Sequence, residues 1–200
     1  MGDPRKIKSK YNRPGHPWQK ERIEEERTLL KKYGLKNKTE IYRARSKLKT
    51  FSDLAKKLIA ARGSQAEKEK TQLLARLAKM GLVEQGAQLD DVLGIQLTNI
   101  LERRLQTMVF RKGLARSINQ ARQMIVHEHI LVGNRRVSSP SYNVHVSEEA
   151  SIAFVPTSSF ANTAHPERAL PPKATEPPTP QDAERQGPRK GPSRKREVRK

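Results

Sequence analysis

Between Leu97 and Val155 the spacing of the apolar residues changes once, and that change restricts the folds open to this segment. Up to Ile125 they recur every three or four residues, as on one face of a helix; beyond His129 they recur every two, as on a strand. Leu97, Leu101, Leu105 and Met108, flanked by Ile100 and Val109, predict one helix over 97–110, which Gly113 stops. Ser117 and Gln120 have capping-box spacing and start a second helix whose Ile118, Ala121 and Ile125 face inward. In "ILVGNRRV" the pair Gly133-Asn134 sits between β-branched residues and predicts a hairpin, with "SYNVHV" and "ASIAFV" as two further short strands. A pair of helices on a small sheet follows.

Upstream the pattern is helical throughout. "GHPWQKERIEEERTLLKKYG" predicts a helix with Pro17 at its first position and Gly34 at its end, its glutamates early and Lys31 and Lys32 in the last turn. Trp18 is expected to anchor packing rather than to stack on a base. Ile41, Ala44, Leu48, Phe51, Ala55 and Leu58 then form one apolar stripe, while Arg43, Arg45, Lys47, Lys49, Lys56 and Lys57 occupy the rest of that helix. A third helix is predicted from Ser64, with Glu67 completing a capping box, to Gly81; it buries Leu73, Leu77 and Met80. "LVEQGAQLDDVLG" reads as a connector with a short turn of helix.

The chain therefore reads as α+β, in four parts. These are an extended basic arm (1–15), an α-helical region (16–96), a small unit of two helices on a short antiparallel sheet (97–156), and a Pro-rich basic tail (157–200). The tail, with "PPKATEPPTPQDAERQGPRKGPSRKREVRK", lacks apolar periodicity and is expected to be disordered until a partner orders it.

Charge narrows the partner. Lysine and arginine number 41 against 21 acidic residues, a net charge of +20 that repels itself unless a polyanion shares the space. Residues 1–62 hold 19 basic and 7 acidic side chains, and 156–200 hold 10 and 5, whereas 91–155 hold 8 and 5. The ends are the more basic, as arms reaching along phosphates would be. Nucleic acid is the leading partner and an anionic membrane surface the competitor. With no cysteine, zinc fingers, disulfides and thiol catalysis are excluded. No apolar run approaches the roughly 20 residues that span a bilayer. The start, "MGDPRKIKSK", lacks the apolar stretch of a secretory signal, so a soluble intracellular protein is expected.

The helix starting at Ser117 suggests the grip. Arg116, Ser117, Asn119 and Gln120 surround an N-terminus whose dipole and free N–H groups suit a phosphate. Arg122 and Gln123 project a turn further on, Arg111 and Lys112 precede Gly113, Arg103 and Arg104 come from the preceding helix, and Arg135 and Arg136 from the hairpin. Together these charges are expected to surround one concave surface. The alternative is an ordinary solvated face; seven of the eight basic residues in 91–155 are arginine, whose fork suits phosphate and base contact, and this favours the grip. His127-Glu128-His129 diverges too much for a metal site, and both histidines suit capping or RNA contact better. Tyr142, next to Ser141, fits a base-stacking residue and a half-buried core residue equally well. No phosphate loop, dinucleotide fingerprint or Gly-x-Ser-x-Gly is present, so no catalytic site and no cofactor is expected.

These residues also carry a resemblance. "LERRLQTMVFRKGLARSINQARQMIVHEHILVGNRRVSSPSYNV" is similar to the small RNA-binding module named after small-subunit ribosomal protein four. It matches at Leu101 to Leu105, Gly113 to Ser117, Ala121-Arg122-Gln123, His127, His129-Ile130 and Pro140-Ser141-Tyr142. That module also occurs in pseudouridine synthases, tyrosyl-tRNA synthetases and a ribosome-rescue protein. "MGDP", "HPW", "KKYGLKNK" and "LDDVLG" resemble the archaeal and eukaryotic branch of the ribosomal protein family itself, and the likeness runs over residues 1–157. The resemblance implies a cytoplasmic, non-enzymatic constituent of the small ribosomal subunit. It would bind small-subunit (16S-type) ribosomal RNA at a multi-helix junction in the body, nucleate assembly and contribute to translational accuracy. Neighbouring ribosomal proteins, ribosomal protein five among them, and messenger RNA at the entry channel are the implied partners. Many relatives have Gly where this chain has Glu128 and Asn-Gly where it has Gly133-Asn134, and some bacterial members carry zinc-binding cysteines absent here. The competing reading is a non-ribosomal RNA chaperone or rescue factor with the same module; an RNA-modifying enzyme lacks room for a catalytic domain.

Overall fold

The computed structural model describes residue 9, residues 11–162 and residues 165–166. Most of the basic arm and almost all of the Pro-rich tail lie outside the described residues. Within them the order is α1 (Lys20–Tyr33), α2 (Lys38–Ala60), α3 (Ser64–Lys79), α4 (Leu89–Leu93), α5 (Leu97–Glu102), α6 (Leu105–Arg111) and α7 (Ile118–Val126). Then follow β1 (Ile130–Val132), β2 (Arg135–Arg136), α8 (Val146–Glu149), β3 (Ile152–Phe154) and a 3-10 turn at Ser159–Ala161. The fold is α+β, with helices leading a three-stranded antiparallel sheet of order β2-β1-β3. None of the described helices is long and apolar enough to cross a membrane.

The 23-residue α2, about 35 Å long at 1.5 Å per residue, is the spine. Its predicted stripe is buried from Ile41 to Leu58, with Leu48 partly so. The N-terminal half packs Ile41 and Ala44 against Tyr33 at the end of α1, Leu35 beyond it, and Ile100 and Leu101 of α5. The C-terminal half packs Phe51, Ala55 and Leu58 against Leu73 and Leu77 of α3, Met80, Val92 of α4 and Ile95. Leu48 and Leu82 touch both clusters and make them continuous. A separate core unites α6, α7 and the sheet through Leu105, Val109, Ala121, Ile125, Ile130, Val144 and Ile152.

A buried carboxylate ties α1 to α2. Glu26 is 3% exposed. It lies 3.3 Å from Arg22 Nε and 3.1 Å from Lys38 Nζ, and accepts from the Tyr42 hydroxyl at 3.4 Å. Of the basic arm, Tyr11 stacks on Tyr42 and the Asn12 backbone donates to Ser46 Oγ, so this part of it lies along α2.

Five local expectations change. α1 begins at Lys20 rather than at Pro17. Trp18 is 89% exposed, in the turn that precedes the helix. Ser64 is the first residue of α3 instead of its cap; Gly63 precedes the helix and its carbonyl accepts from the Glu67 N–H. The helix expected over 97–110 is two, because Arg104 adopts an extended conformation (φ −72°, ψ 142°). The fifth change explains the fourth. The segment 142–144 runs antiparallel past the break: Leu105 N–H donates to the Tyr142 carbonyl at 2.8 Å, and Val144 N–H to that of Arg103 at 2.9 Å. "SYNVHV" therefore makes one bridge, Arg104 to Asn143, and no sheet strand. It turns at once into α8, where the Glu148 side chain accepts from the His145 N–H and draws the chain into a helical turn.

The ends of α7 are cleaner. Ser117 Oγ accepts from the Gln120 N–H at 3.1 Å, as capping chemistry requires, but Gln120 Oε1 accepts from Arg116 N–H at 2.7 Å, one residue earlier than in a capping box. At the other end the His129 N–H donates to the Met124 carbonyl and the Glu128 N–H to that of Ile125, the paired bonds of a left-handed helix terminus. Glu128 has φ 60°, the one positive φ at a non-glycine among the described residues. In the hairpin Val132 faces Arg135, leaving the two-residue turn Gly133-Asn134 with positive φ at Gly133 alone, so the reversed pair still closes it.

Two stability predictions follow from backbone conformation. A left-handed non-glycine residue costs about 1–2 kcal/mol, so Glu128→Gly should raise the unfolding free energy by about 1 kcal/mol. A urea midpoint unchanged or lowered would contradict this. Gly34 sits at φ 56° after α1, and a Cβ there would lie 1.9 Å from Ile118 Cγ2. Gly34→Ala should therefore cost about 2 kcal/mol or more, through strain and overpacking together, measured in the same unfolding experiment.

Candidate nucleic-acid interface

The junction between α2 and the α6–α7 unit is built on Glu40, in the first turn of α2. Its Oε2 accepts from Arg104 Nη2 at 2.5 Å and its Oε1 from Arg122 Nη2 at 2.7 Å, so one carboxylate joins two guanidiniums from distant sequence. Arg122 Nη1 also donates to Gln106 Oε1 at 3.3 Å. Gln106, fully buried, donates from Nε2 to the carbonyls of Gly34 and Ile118, both at 3.0 Å. A polar residue within the buried run Leu105–Val109 is thus satisfied by bonds that close α1 onto α7.

Beside this clamp lies a cavity of about 260 Å³ lined by Glu40, Arg43 and Lys47 of α2, by Arg104 and Arg122, and by Ser141 and Asn143. Positions 40, 43 and 47 share one flank of the helix at spacings of three and four. Four cations thus line the hollow against a single carboxylate. Burial pushes Glu40 up, but the Arg122 hydrogen bond and both guanidinium charges outweigh it, holding the carboxyl below its ordinary value. Burial lowers Arg104, against the opposing pull of Glu40. Desolvation also lowers the Lys47 ammonium, and Arg104 and Arg76 add to the effect.

The basic residues singled out in the sequence do not surround one concave surface. Adjacent Arg103 and Arg104 diverge because the chain breaks helix between them. Arg104, 5% exposed, turns inward to Glu40, so it positions its neighbours rather than reaching outward. Arg103 turns the other way, donating to Glu149 at 2.9 Å and to the Val144 carbonyl at 3.1 Å. Arg111 pairs there with Glu102 at 2.9 Å, and Lys112 Nζ donates to the Glu149 carbonyl. These three cations line a second hollow that holds two carboxylates. Arg45 and Lys49 are exposed on the flank of α2 away from Arg43 and Lys47, and the exposed hairpin carries Arg135, 3.5 Å from Glu148, and Arg136.

On α7 Ser117, Asn119 and Gln123 are exposed and Arg116, Gln120 and Arg122 half-buried. Tyr142 belongs to the core alternative: its ring packs on the sheet unit and its hydroxyl donates to Glu148 at 2.8–2.9 Å. Burial first, and then that hydrogen bond, raise its pKa. His129 shares a 3.0 Å hydrogen bond with Ser158 and meets the Phe160 ring edge-on at 5.0 Å, whereas His127 is exposed. Ser141 is exposed, 3.1 Å from Ser139. Among the described residues no group of three or more His, Cys, Asp or Glu is placed to hold a metal ion. Sequence reasoning missed Glu40, Gln106 and Asn143. None carried a signal of this role, since Gln106 lies outside the predicted stripe of Leu97, Leu101, Leu105 and Met108.

Residues 103–149 match the S4 domain family. Across most of its length the chain is similar to curated archaeal proteins named small ribosomal subunit protein uS4. It is 51% identical to that of Methanococcus aeolicus over 169 residues, covering 84% of this chain and 96% of the relative. It is 50% identical to that of Methanococcus vannielii, covering 84% and 95%. For Ignicoccus hospitalis the identity is 49% over 164 residues, covering 82% and 99%.

The clamp makes a pH prediction. With Glu40 depressed in the folded state, its stabilisation is complete above the unfolded value of about 4.3 and is lost as pH falls through the lower folded value. Glu40→Gln should cost about 2 kcal/mol or more at neutral pH, by leaving two partly buried guanidiniums short of a counter-charge. It should also lose less stability than the parent between about pH 5 and pH 2. Parallel stability–pH curves for the two proteins would rule out this linkage.

Proposed function

The chain belongs to the family of small ribosomal subunit protein uS4, and from that membership and the cationic junction we propose that it is a structural constituent of the small ribosomal subunit that binds small-subunit ribosomal RNA directly. The reading is carried by one observation: about half the residues are identical across almost the whole length of relatives whose name puts them in that subunit. The four-part organisation of arm, helical region, RNA-binding module and tail (1–15, 16–96, 97–156 and 157–200) belongs to this reading.

The RNA face runs from the Arg43–Lys47 flank of α2, across the cavity, to Ser141 and the exposed side of α7 at Asn119 and Gln123, with Arg116 and Ser117 at the helix N-terminus. Arg104 and Arg122 act by holding that surface in register with α2. Phosphates dominate such contacts because they are uniformly charged, and each neutralised phosphate releases counterions. A protein gripping two structural units at once suits a multi-helix RNA junction, since fixing its own two halves also fixes the RNA segments they hold. That is the physical basis for nucleating assembly and, once the body is set, for contributing to decoding accuracy. Neighbouring small-subunit proteins, including ribosomal protein five, and messenger RNA at the entry channel complete the proposed setting, in the cytoplasm. The role is structural and requires no chemistry from the chain.

The competing reading, a free RNA chaperone or rescue factor, separates in one measurement. The protein should remain on isolated small subunits through a high-salt wash; release with the wash would favour the transient factor. In binding to a small-subunit ribosomal RNA junction fragment, Arg43→Ala and Arg116→Ala should each lower the slope of log affinity against log salt by about one. Slopes equal to that of the parent would remove these two residues from the RNA face.

A further inference from the structure

We propose that the cavity between α2 and the 141–143 segment is a seat for one phosphate group of an RNA backbone, and that filling it locks α2 to the RNA-binding module. The proposal deepens the RNA-binding reading above and rests on it for the source of the phosphate.

Three observations converge on an anion. Glu40 spends both carboxylate oxygens on Arg104 and Arg122, yet Arg43 and Lys47 line the same hollow. Three positive charges there go unmatched by the carboxylate among the lining residues. Secondly, Arg104 is 5% exposed and its Nε is buried without a hydrogen-bond partner. A buried charged donor without a partner is unfavourable, and a small shift of the guanidinium toward an acceptor in the hollow that Arg104 lines would satisfy it. Thirdly, the far wall offers neutral polar groups, the Ser141 hydroxyl and the Asn143 amide.

Donors thus approach from α2, from the start of α6 and from the 141–143 segment. Glu40, itself on α2, serves donors from the start of α6 and from α7. The two unesterified oxygens of a phosphodiester, each accepting more than one hydrogen bond, can serve α2, the start of α6 and the 141–143 segment together. A phosphodiester also enters from an open side with its chain continuing both ways, as an RNA strand crossing from helix to module would. The bound group then bridges elements that in the free protein are joined on this flank by Glu40. Repulsion among Arg43, Lys47 and Arg104 becomes attraction to a shared anion.

The test uses the full chain and Lys47→Met, which removes a cation from the hollow and leaves the Glu40 clamp in place. In chloride, Lys47→Met should have a thermal midpoint equal to or above that of the parent, because an uncompensated charge is gone. Inorganic phosphate, replacing chloride at equal ionic strength, should raise the parent's midpoint by about 2–4 °C and leave that of Lys47→Met unmoved. With the junction RNA fragment, Lys47→Met should lower the salt slope by about one. Matched phosphate responses and matched slopes in the two proteins would overturn the seat while leaving RNA binding through Arg43 and Arg116 intact. A phosphate response lost in Lys47→Met with an unchanged RNA slope would overturn the RNA backbone as the source, making the ligand free phosphate. A parent that binds no RNA yet keeps the Lys47-dependent phosphate response would sink the ribosomal RNA reading rather than the anion site. A chloride midpoint for Lys47→Met well below the parent's would show Lys47 to be a structural contact and overturn the proposal.

Discussion

One carboxylate between two guanidiniums holds the molecule's parts together. Glu40 opens the long helix α2; Arg104 opens α6, and Arg122 sits within α7. At 2.5 and 2.7 Å these are charge-assisted contacts in a partly dehydrated place, where Coulomb attraction is stronger than in water and an unmatched charge is more costly. Without Glu40, Arg104 and Arg122 repel each other within a shared hollow. The inner donors and acceptors of Gln106 extend the same joint to the end of α1. The apolar core of the sheet unit is separate from the two clusters along α2, so polar bonds at this junction carry the relative placement of the two halves.

This explains what was legible in the sequence. The stripe from Ile41 to Leu58 and the switch to period two after His129 are local patterns, and each reports which residues must leave water. They fixed α2, α7 and the hairpin well. The break at Arg103–Arg104 was illegible, because apolar spacing runs through it unchanged: Leu101, Leu105 and Met108 are all buried whether the chain is one helix or two. What breaks it is a long-range partner, the 142–144 backbone, together with the pull of Glu40 on Arg104. For the same reason the sequence showed "SYNVHV" as a strand: Val144 is fully buried, but its backbone pairs with the helix break instead of the sheet.

The candidate site was half legible. Residue type identified the cations, and arginine content pointed to phosphate chemistry. What the sequence could not report is which cations the protein consumes internally. Arg103, Arg104, Arg111 and Arg122 all meet carboxylates, and those carboxylates come from positions as far apart as Glu40 and Glu149. Counting charge overstates the surface available to a ligand wherever acidic residues are folded in among the basic ones. It is least misleading on α2, where Arg43 and Lys47 line a hollow whose one carboxylate already serves other partners.

The distribution of charge also bears on why a chain so basic folds in the arrangement described. Residues 1–62 carry 19 basic and 7 acidic side chains, and α2 displays its share on two flanks of one helix. Three modest clusters must outweigh that repulsion, with a buried Glu26 and a half-buried Glu40 each set among cations. Both acids stand at joints between elements, where they do more than neutralise: each draws in two basic side chains and fixes the angle at which helices meet. On α2, Arg43, Arg45, Lys47 and Lys49 are left exposed, spaced along a helix of about 35 Å. On the proposed reading, the polyanion supplies outside what the two glutamates supply inside. Binding and rigidity then share one electrostatic cause.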